Sequence, residues 1–165
     1  MKSSRARYIS YIAMFSLLAL GFSYVESLVP PLTSIPGIKL GLANIAIIFA
    51  LYKFDARAAV TVSLMRVFLS FLLFGSILSL AYSFSGALMS FTVMVVMKKS
   101  ERFSVVGVSV AGAITHNVAQ IIVAMLLLST KEIVFYLPVL VISAVISGIF
   151  IGTAGALLVK RIKIK

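Results

Sequence analysis

Six apolar stretches run along the chain, separated by short polar or turn-forming segments. Most of them reach the roughly 20 residues that a helix needs to cross the hydrocarbon core of a membrane, which is about 30 Å thick. The second stretch is the shortest. The predicted spans are residues 8–29, 38–52, 57–74, 77–97, 105–128 and 133–159. They fill residues 1–165 as a single transmembrane domain.

Residue types at the ends of these stretches fit helix boundaries. Pro30 and Pro31 end the first stretch, since proline cannot continue a helix interior. Asp55 precedes the third stretch, and its side chain can accept a hydrogen bond from a free N–H group of the first helical turn. Gly75 and Ser76 form a tight turn between the third and fourth stretches. These signals predict helices joined by short loops.

Composition places this helical pattern in a membrane. Of the 165 residues, 62% are hydrophobic and 12% are charged, and the mean hydropathy is +1.18. A soluble domain carries about 25% charged residues, so the apolar surface here requires lipid to cover it. We therefore predict an all-α integral membrane bundle of six transmembrane helices. The chain has no cysteine, which excludes disulfides and thiolate sites.

The distribution of positive charge predicts the orientation. A net charge of +11 in a soluble protein would indicate a nucleic-acid partner, but here the basic residues lie in short clusters between apolar stretches. Those on the side of the N-terminus are Lys2, Arg5, Arg7, Lys53, Arg57, Lys98, Lys99, Arg102, Lys160, Arg161, Lys163 and Lys165. The opposite side has only Lys39 and Lys131. Both termini are therefore predicted to be cytoplasmic, in a multi-pass protein of the cell membrane that binds no nucleic acid.

Polar side chains within the spans are the candidates for function, because they are costly in lipid. Arg66 lies about 12 Å into the third helix and His116 about 16 Å into the fifth, at 1.5 Å per residue. The candidate ligand-binding residues are Glu26, Lys39, Asn44, Arg66, His116, Asn117 and Gln120. If they share an interior face, they line one polar cavity that opens outward. Basic groups outnumber the single Glu26, so an anionic or polar solute is favoured.

Each candidate also has a structural interpretation. Arg66 can pair with Glu26, while the histidine and the amides can form hydrogen bonds between helices. Glu26 and Lys39 can be interfacial charges. A row of small residues on the sixth helix, at four-residue spacing, permits close helix packing, and packing within the bundle is favoured over a partner interface. The row consists of Ala144, Gly148, Gly152 and Ala156.

The sequence argues against an enzyme. It contains no phosphate-binding GxxxxGK[ST] motif, and its single aspartate, Asp55, excludes an aspartate-rich magnesium motif. One histidine without cysteine excludes the common zinc and haem sites. We expect no catalytic residue, no metal site and no cofactor held by the chain itself.

Several segments resemble a known family. The segment ESLVPPLTSIPGIKLGLANI, residues 26–45, is similar to a motif of the Gx transporter family, which is also labelled heptaprenyl diphosphate synthase component I. The resemblance covers nearly the whole chain. The other similar runs are LMRVFLSFLLFGS (64–76), FSGALMSFTVMVVMKK (84–99), GVSVAGAITHNVAQIIVA (107–124) and YLPVLVISAVISGIFIG (136–152).

The resemblance implies one of two functions. The family is similar to the S-components of energy-coupling-factor (ECF) transporters, which capture a micronutrient from outside and work with a coupling subunit and ATPases. The alternative is a non-catalytic membrane component of isoprenoid or menaquinone metabolism, or of flavin- or quinone-linked extracellular electron transfer. The implied ligands are then a flavin, a quinone or a prenyl diphosphate. A purely structural anchor is disfavoured by Arg66 and His116 inside the spans.

Overall fold

A computed structural model describes residues 2–28 and 41–162, and almost all of these residues are helical. The all-α prediction is confirmed for this part of the chain. A 3₁₀ helix, Lys131–Tyr136, precedes the last α-helix. The α-helices are α1 (Lys2–Leu28), α2 (Ala43–Lys53), α3 (Ala56–Phe74), α4 (Ile77–Lys99), α5 (Val105–Leu128) and α6 (Leu137–Arg161).

Side-chain caps fix the beginnings of three helices. The Asp55 carboxylate accepts a hydrogen bond of 2.6 Å from the backbone N–H of Ala58, so its predicted capping role is confirmed. The hydroxyl groups of Ser76 and Ser104 cap α4 and α5 in the same way. Each cap satisfies an N–H group that has no partner within its own helix. The connections on either side of α3 and α4 are therefore short and well defined.

The last apolar stretch begins differently from the prediction. It was expected to be α-helical from residue 133, but α6 begins at Leu137, after the 3₁₀ segment. Pro138 lies in the first turn of α6, where its missing N–H group costs no intrahelical hydrogen bond. The proline thus marks the start of the regular helix.

Five helices of the described chain are long and apolar enough to cross a membrane, which makes this a multi-pass membrane protein. The exception is α2, which has 11 residues and is about 16 Å long, against the roughly 30 Å of a hydrocarbon core. Its predicted span began at residue 38, and residues 38–40 lie outside the described residues. The count of six spans and the orientation of the termini stay predictions.

The short helix α2 forms the centre of the bundle. Its residues from Ala46 to Leu51 are each at most 4% exposed, and it packs against α1, α3 and α6. The rings of Phe15 on α1 and Phe49 on α2 lie 4.8 Å apart between centroids. Because a helix that is apolar on all sides must be buried on all sides, α2 is surrounded by protein, and its first turn lies inside the bundle.

Glycines bring α6 against α5. A Cβ atom on Gly148 would lie 2.7 Å from Cα of Val110, and one on Gly152 would lie 2.7 Å from Cα of Val106. Real Cβ atoms do not approach backbone so closely, so only glycine permits this helix separation. The predicted packing role of these two small residues is confirmed. Together, α5 and α6 form the most closely packed pair in the bundle.

Candidate functional site

A polar cavity lies at the first turn of α2, between this turn and helices α1, α3, α5 and α6. Its volume is about 60 Å³. A water molecule needs about 10–15 Å³ of such volume, so the part of the cavity that the described residues enclose has room for a few water molecules or a small ionic group. The lining residues are Glu26, Gly41, Asn44, Arg66, Ala113, His116, Asn117, Gln120, Ala144, Ser147 and Ile151.

Glu26 contributes the acidic group of the cavity and also joins two helices. Its Oε1 atom accepts a hydrogen bond of 2.7 Å from the backbone N–H of Leu42, directly before α2. A carboxylate is favourable at this position, because the N-terminus of a helix carries free N–H groups and partial positive charge. One oxygen of Glu26 is thus engaged with the backbone, which fixes the end of α1 against α2.

Arg66 contributes the basic group. The Glu26 carboxylate acts electrostatically on its guanidinium. The Nε atom of Arg66 is buried, and it has no hydrogen-bond partner among residues 2–28 and 41–162. A buried donor without an acceptor is unusual, because nearly all such groups in proteins are paired. An acceptor for this N–H group would have to come from outside the described residues.

Helix α5 supplies three polar residues to the cavity, His116, Asn117 and Gln120. His116 and Gln120 are four residues apart and so lie on one helix face. The Nδ2 atom of Asn117 donates a hydrogen bond of 2.9 Å to the backbone carbonyl of Leu140 on α6. Asn117 therefore has a structural role between α5 and α6, while its side chain also borders the cavity.

The imidazole of His116 is positioned by a glycine on α4. A Cβ atom on Gly86 would lie 2.8 Å from both Cε1 and Nε2 of the ring. Only a residue without a side chain leaves this space, so Gly86 determines where the ring of His116 lies. Gly86 could not be identified from the sequence, because a glycine in an apolar helix gives no signal of the side chain that it faces.

The structure places six of the seven candidate ligand-binding residues around this one cavity. They are Glu26, Asn44, Arg66, His116, Asn117 and Gln120. The seventh, Lys39, lies outside the described residues. Their role in binding stays a prediction.

Five further lining residues were not among the candidates, and two of them, Gly41 and Ser147, have features that bear on the site. Gly41 has a φ angle of +74°, a backbone conformation that L side chains rarely adopt. Its position three residues before Asn44, where the chain enters α2, was the only available signal. Ser147 of α6 also borders the cavity, but serine is common in membrane helices and does not stand out there.

No three histidine, aspartate or glutamate side chains converge on a metal-binding arrangement within the described parts of the chain. The polar groups of the cavity are instead a guanidinium, three amides, an imidazole, a hydroxyl group and the Glu26 carboxylate. Two of these groups already donate to backbone carbonyls, Asn117 to Leu140 and Ser147 to Ala144. The Nε atom of Arg66 is the buried lining donor that has no acceptor among the described residues.

Comparison with known proteins identifies the family. A search of curated proteins and of solved structures found no significant match. In contrast, the profile of the family described as heptaprenyl diphosphate synthase component I matches residues 15–158, which include all six helices in whole or in large part. The matched segment contains the whole lining of the cavity. The chain therefore belongs to the heptaprenyl diphosphate synthase component I family.

Proposed function

We propose that this protein is a non-catalytic membrane subunit that binds the anionic group of a small solute in the cavity at Arg66, as part of an uptake system. The observation that supports this most directly is the buried guanidinium, whose Nε has no acceptor among the described residues. A guanidinium binds carboxylate or phosphate groups strongly, through parallel hydrogen bonds.

The composition of the cavity supports an anion over a neutral ligand. Asn44, His116 and Gln120 line the cavity together with Arg66, and their side chains can donate hydrogen bonds. One oxygen of Glu26 already accepts a hydrogen bond from the N–H group of Leu42. The volume of about 60 Å³ fits one carboxylate or phosphate group. The remainder of a larger solute would extend beyond the part of the cavity that the described residues enclose.

Energy for uptake would come from other subunits. The sequence has no phosphate-binding motif for nucleotide hydrolysis, and the family is described as one component of a larger system. We propose an S-component-like arrangement in the cell membrane, with both termini in the cytoplasm and the solute entering from outside. A coupling subunit and ATPases of the ECF type are the partners that this arrangement requires.

A second candidate function follows from the family description and from an apolar groove. The groove lies between α1 and α3, has a volume of about 460 Å³ and includes Leu20, Tyr24 and Leu73. An amphiphile with an anionic head, such as a prenyl diphosphate, would place the head at Arg66 and the tail along this groove. The protein would then present a lipid-like intermediate, or a quinone, to a catalytic partner.

Native mass spectrometry of the purified protein, followed by extraction and identification of what it carries, tests the first proposal. We expect a stoichiometric anionic solute in the wild type, and its loss in Arg66→Ala because the main charge on the ligand is gone. Arg57→Ala is the matched control, since Arg57 lies on the same helix but is exposed. It should retain the solute.

The outcomes separate the two candidates. A prenylated lipid or quinone that is lost in Arg66→Ala would favour the second candidate and remove the first. Equal ligand occupancy in Arg66→Ala and in the wild type would overturn both, since both place the anionic group at this guanidinium.

A further inference from the structure

Buried polar atoms without a hydrogen-bond partner are concentrated on two helices. In the described residues there are five such side-chain atoms, and four of them belong to α1 and α3. These four are Oγ of Ser16, Oγ of Ser23, Nε of Arg66 and Oγ of Ser70. Helices α2, α4, α5 and α6 contribute only the hydroxyl group of Tyr52. The clustering points to a property of the α1–α3 interface.

The two helices are parallel neighbours. At one end the hydroxyl group of Tyr8 donates a hydrogen bond of 3.0 Å to Asp55, directly before α3. At the other end the rings of Tyr24 and Phe74, the last residue of α3, lie 5.8 Å apart between centroids. Both helices therefore run in the same direction between these two contacts.

The four unsatisfied groups form two columns that border this interface. Ser16 and Ser23 are seven residues apart, hence on one face of α1 and about 10 Å apart along it. Arg66 and Ser70 are four residues apart on one face of α3. Leu73 continues that face and lines a groove together with residues of α1. We call Ser16, Ser23, Arg66 and Ser70 the α1–α3 seam.

These serines do not follow the usual behaviour of serine in a helix. Ser10, nearer the N-terminus of α1, donates its hydroxyl hydrogen to the carbonyl of Ala6, four residues earlier, as serine commonly does. Ser16 is only 5% exposed, and it has no such partner. A buried hydroxyl group needs a partner that can both donate and accept, and water meets this need where a chain of polar groups is available.

We propose that the α1–α3 seam binds a file of water molecules that is continuous with the cavity at Arg66. The guanidinium belongs to both, because it lines the cavity and its Nε is one of the unsatisfied atoms. Ser16 extends the file from there toward the N-terminal ends of α1 and α3. The file hydrates the charge of Arg66 whether or not a ligand is bound, so it does not depend on the proposed function.

The absence of cysteine from the chain permits a direct test. Ser16→Cys, Ser23→Cys and Ser70→Cys are each treated with silver ions, which are small enough to travel with water and bind thiolates, and mass spectrometry counts the bound silver. The cysteine-free parent is the blank. Ser109→Cys is the matched control for Ser16→Cys, because Ser109 on α5 is 4% exposed and Ser16 is 5% exposed.

We expect all three seam variants to take up silver, and we expect Ser16→Cys, which matches the control in burial, to do so at least tenfold faster than Ser109→Cys. Rates equal to that of Ser109→Cys would overturn the proposal. A second measurement covers variants that fold poorly. For a hydrated seam, the change in Tm caused by Ser16→Ala should match that of Ser10→Ala within about 2 °C. For a dry seam, Ser16→Ala would raise Tm by several degrees more, since it would remove an unsatisfied buried group. That result would also overturn the proposal.

Discussion

Helix pairs α5–α6 and α1–α3 differ in how they are held together. Between α5 and α6, Gly148 and Gly152 place backbone against backbone, with no room for a single methyl group. Between α1 and α3, the contacts are rings and a tyrosine–aspartate hydrogen bond at the two ends. Gly21 of α1 has nothing within 4 Å of where its Cβ would be. The first pair therefore packs backbone against backbone, whereas the second pair has an open groove along one side.

The difference explains where the polar cavity lies. A close pair of helices fixes His116 and Asn117 of α5 with little freedom, because Asn117 is also bonded to the carbonyl of Leu140. The looser pair provides the charged groups, Glu26 from α1 and Arg66 from α3. The proposed binding site would then combine a closely packed wall of polar groups with a less closely packed wall that carries the charged groups.

The largest effect is expected where the packing is tightest. Gly152→Ala places a methyl group 2.7 Å from Cα of Val106, so α6 must move away from α5. Overpacking of this kind costs about 1–3 kcal/mol. The free energy of unfolding, measured by reversible denaturation in detergent, should fall by this amount. A change below about 0.5 kcal/mol would show that α5 and α6 separate easily and would remove the contrast between the two pairs.

A smaller loss is expected at the end of the α1–α3 pair. Asp55→Ala removes the cap of α3 and the acceptor for Tyr8. Loss of a helix cap costs about 1 kcal/mol, and the same denaturation measurement should report it. Ser104→Ala is the control, because it removes the cap of α5 without an interhelical bond.

Tyr8→Phe separates the two roles of Asp55. If the interhelical bond contributes, Tyr8→Phe should destabilise the wild type more than it destabilises Asp55→Ala. An additive pair of changes would mean that the end contact does not hold α1 to α3, and that the pair relies on its apolar and ring contacts.

The sequence was sufficient for the long helices and for most of the cavity lining. Apolar stretches bounded by Asp55 and by Gly75-Ser76 gave α3 and the start of α4 almost to the residue. Polar residues such as Arg66 and His116 were conspicuous because lipid-spanning segments rarely contain them. The physical rule that made them candidates is the same rule that directs them into the interior.

Other features could not be predicted from hydropathy. The stretch that contains α2 is as apolar as its neighbours, so nothing in it distinguishes a short, protein-covered helix from a lipid-exposed span. Gly86 was missed because its role depends on His116, which is distant in sequence. The serines of the α1–α3 seam were missed since serine in a helix usually satisfies itself locally, and only the tertiary structure reveals the exceptions.

The smallest effect has the opposite sign and is expected on α1. Gly21→Ala adds a methyl group into open space and replaces the residue least suited to a helix interior, so it should stabilise the protein by about 0.5–1 kcal/mol. The paired comparison with Gly152→Ala keeps the chemical change constant and varies only the packing. Opposite changes in the free energy of unfolding from the two alanine substitutions would show that α1 has open space around Gly21, whereas α6 has none around Gly152. If Gly21→Ala instead destabilises the protein, the added methyl group must clash with a neighbour of α1 in the membrane. The face of α1 that carries Gly21 is then where that neighbour would be sought.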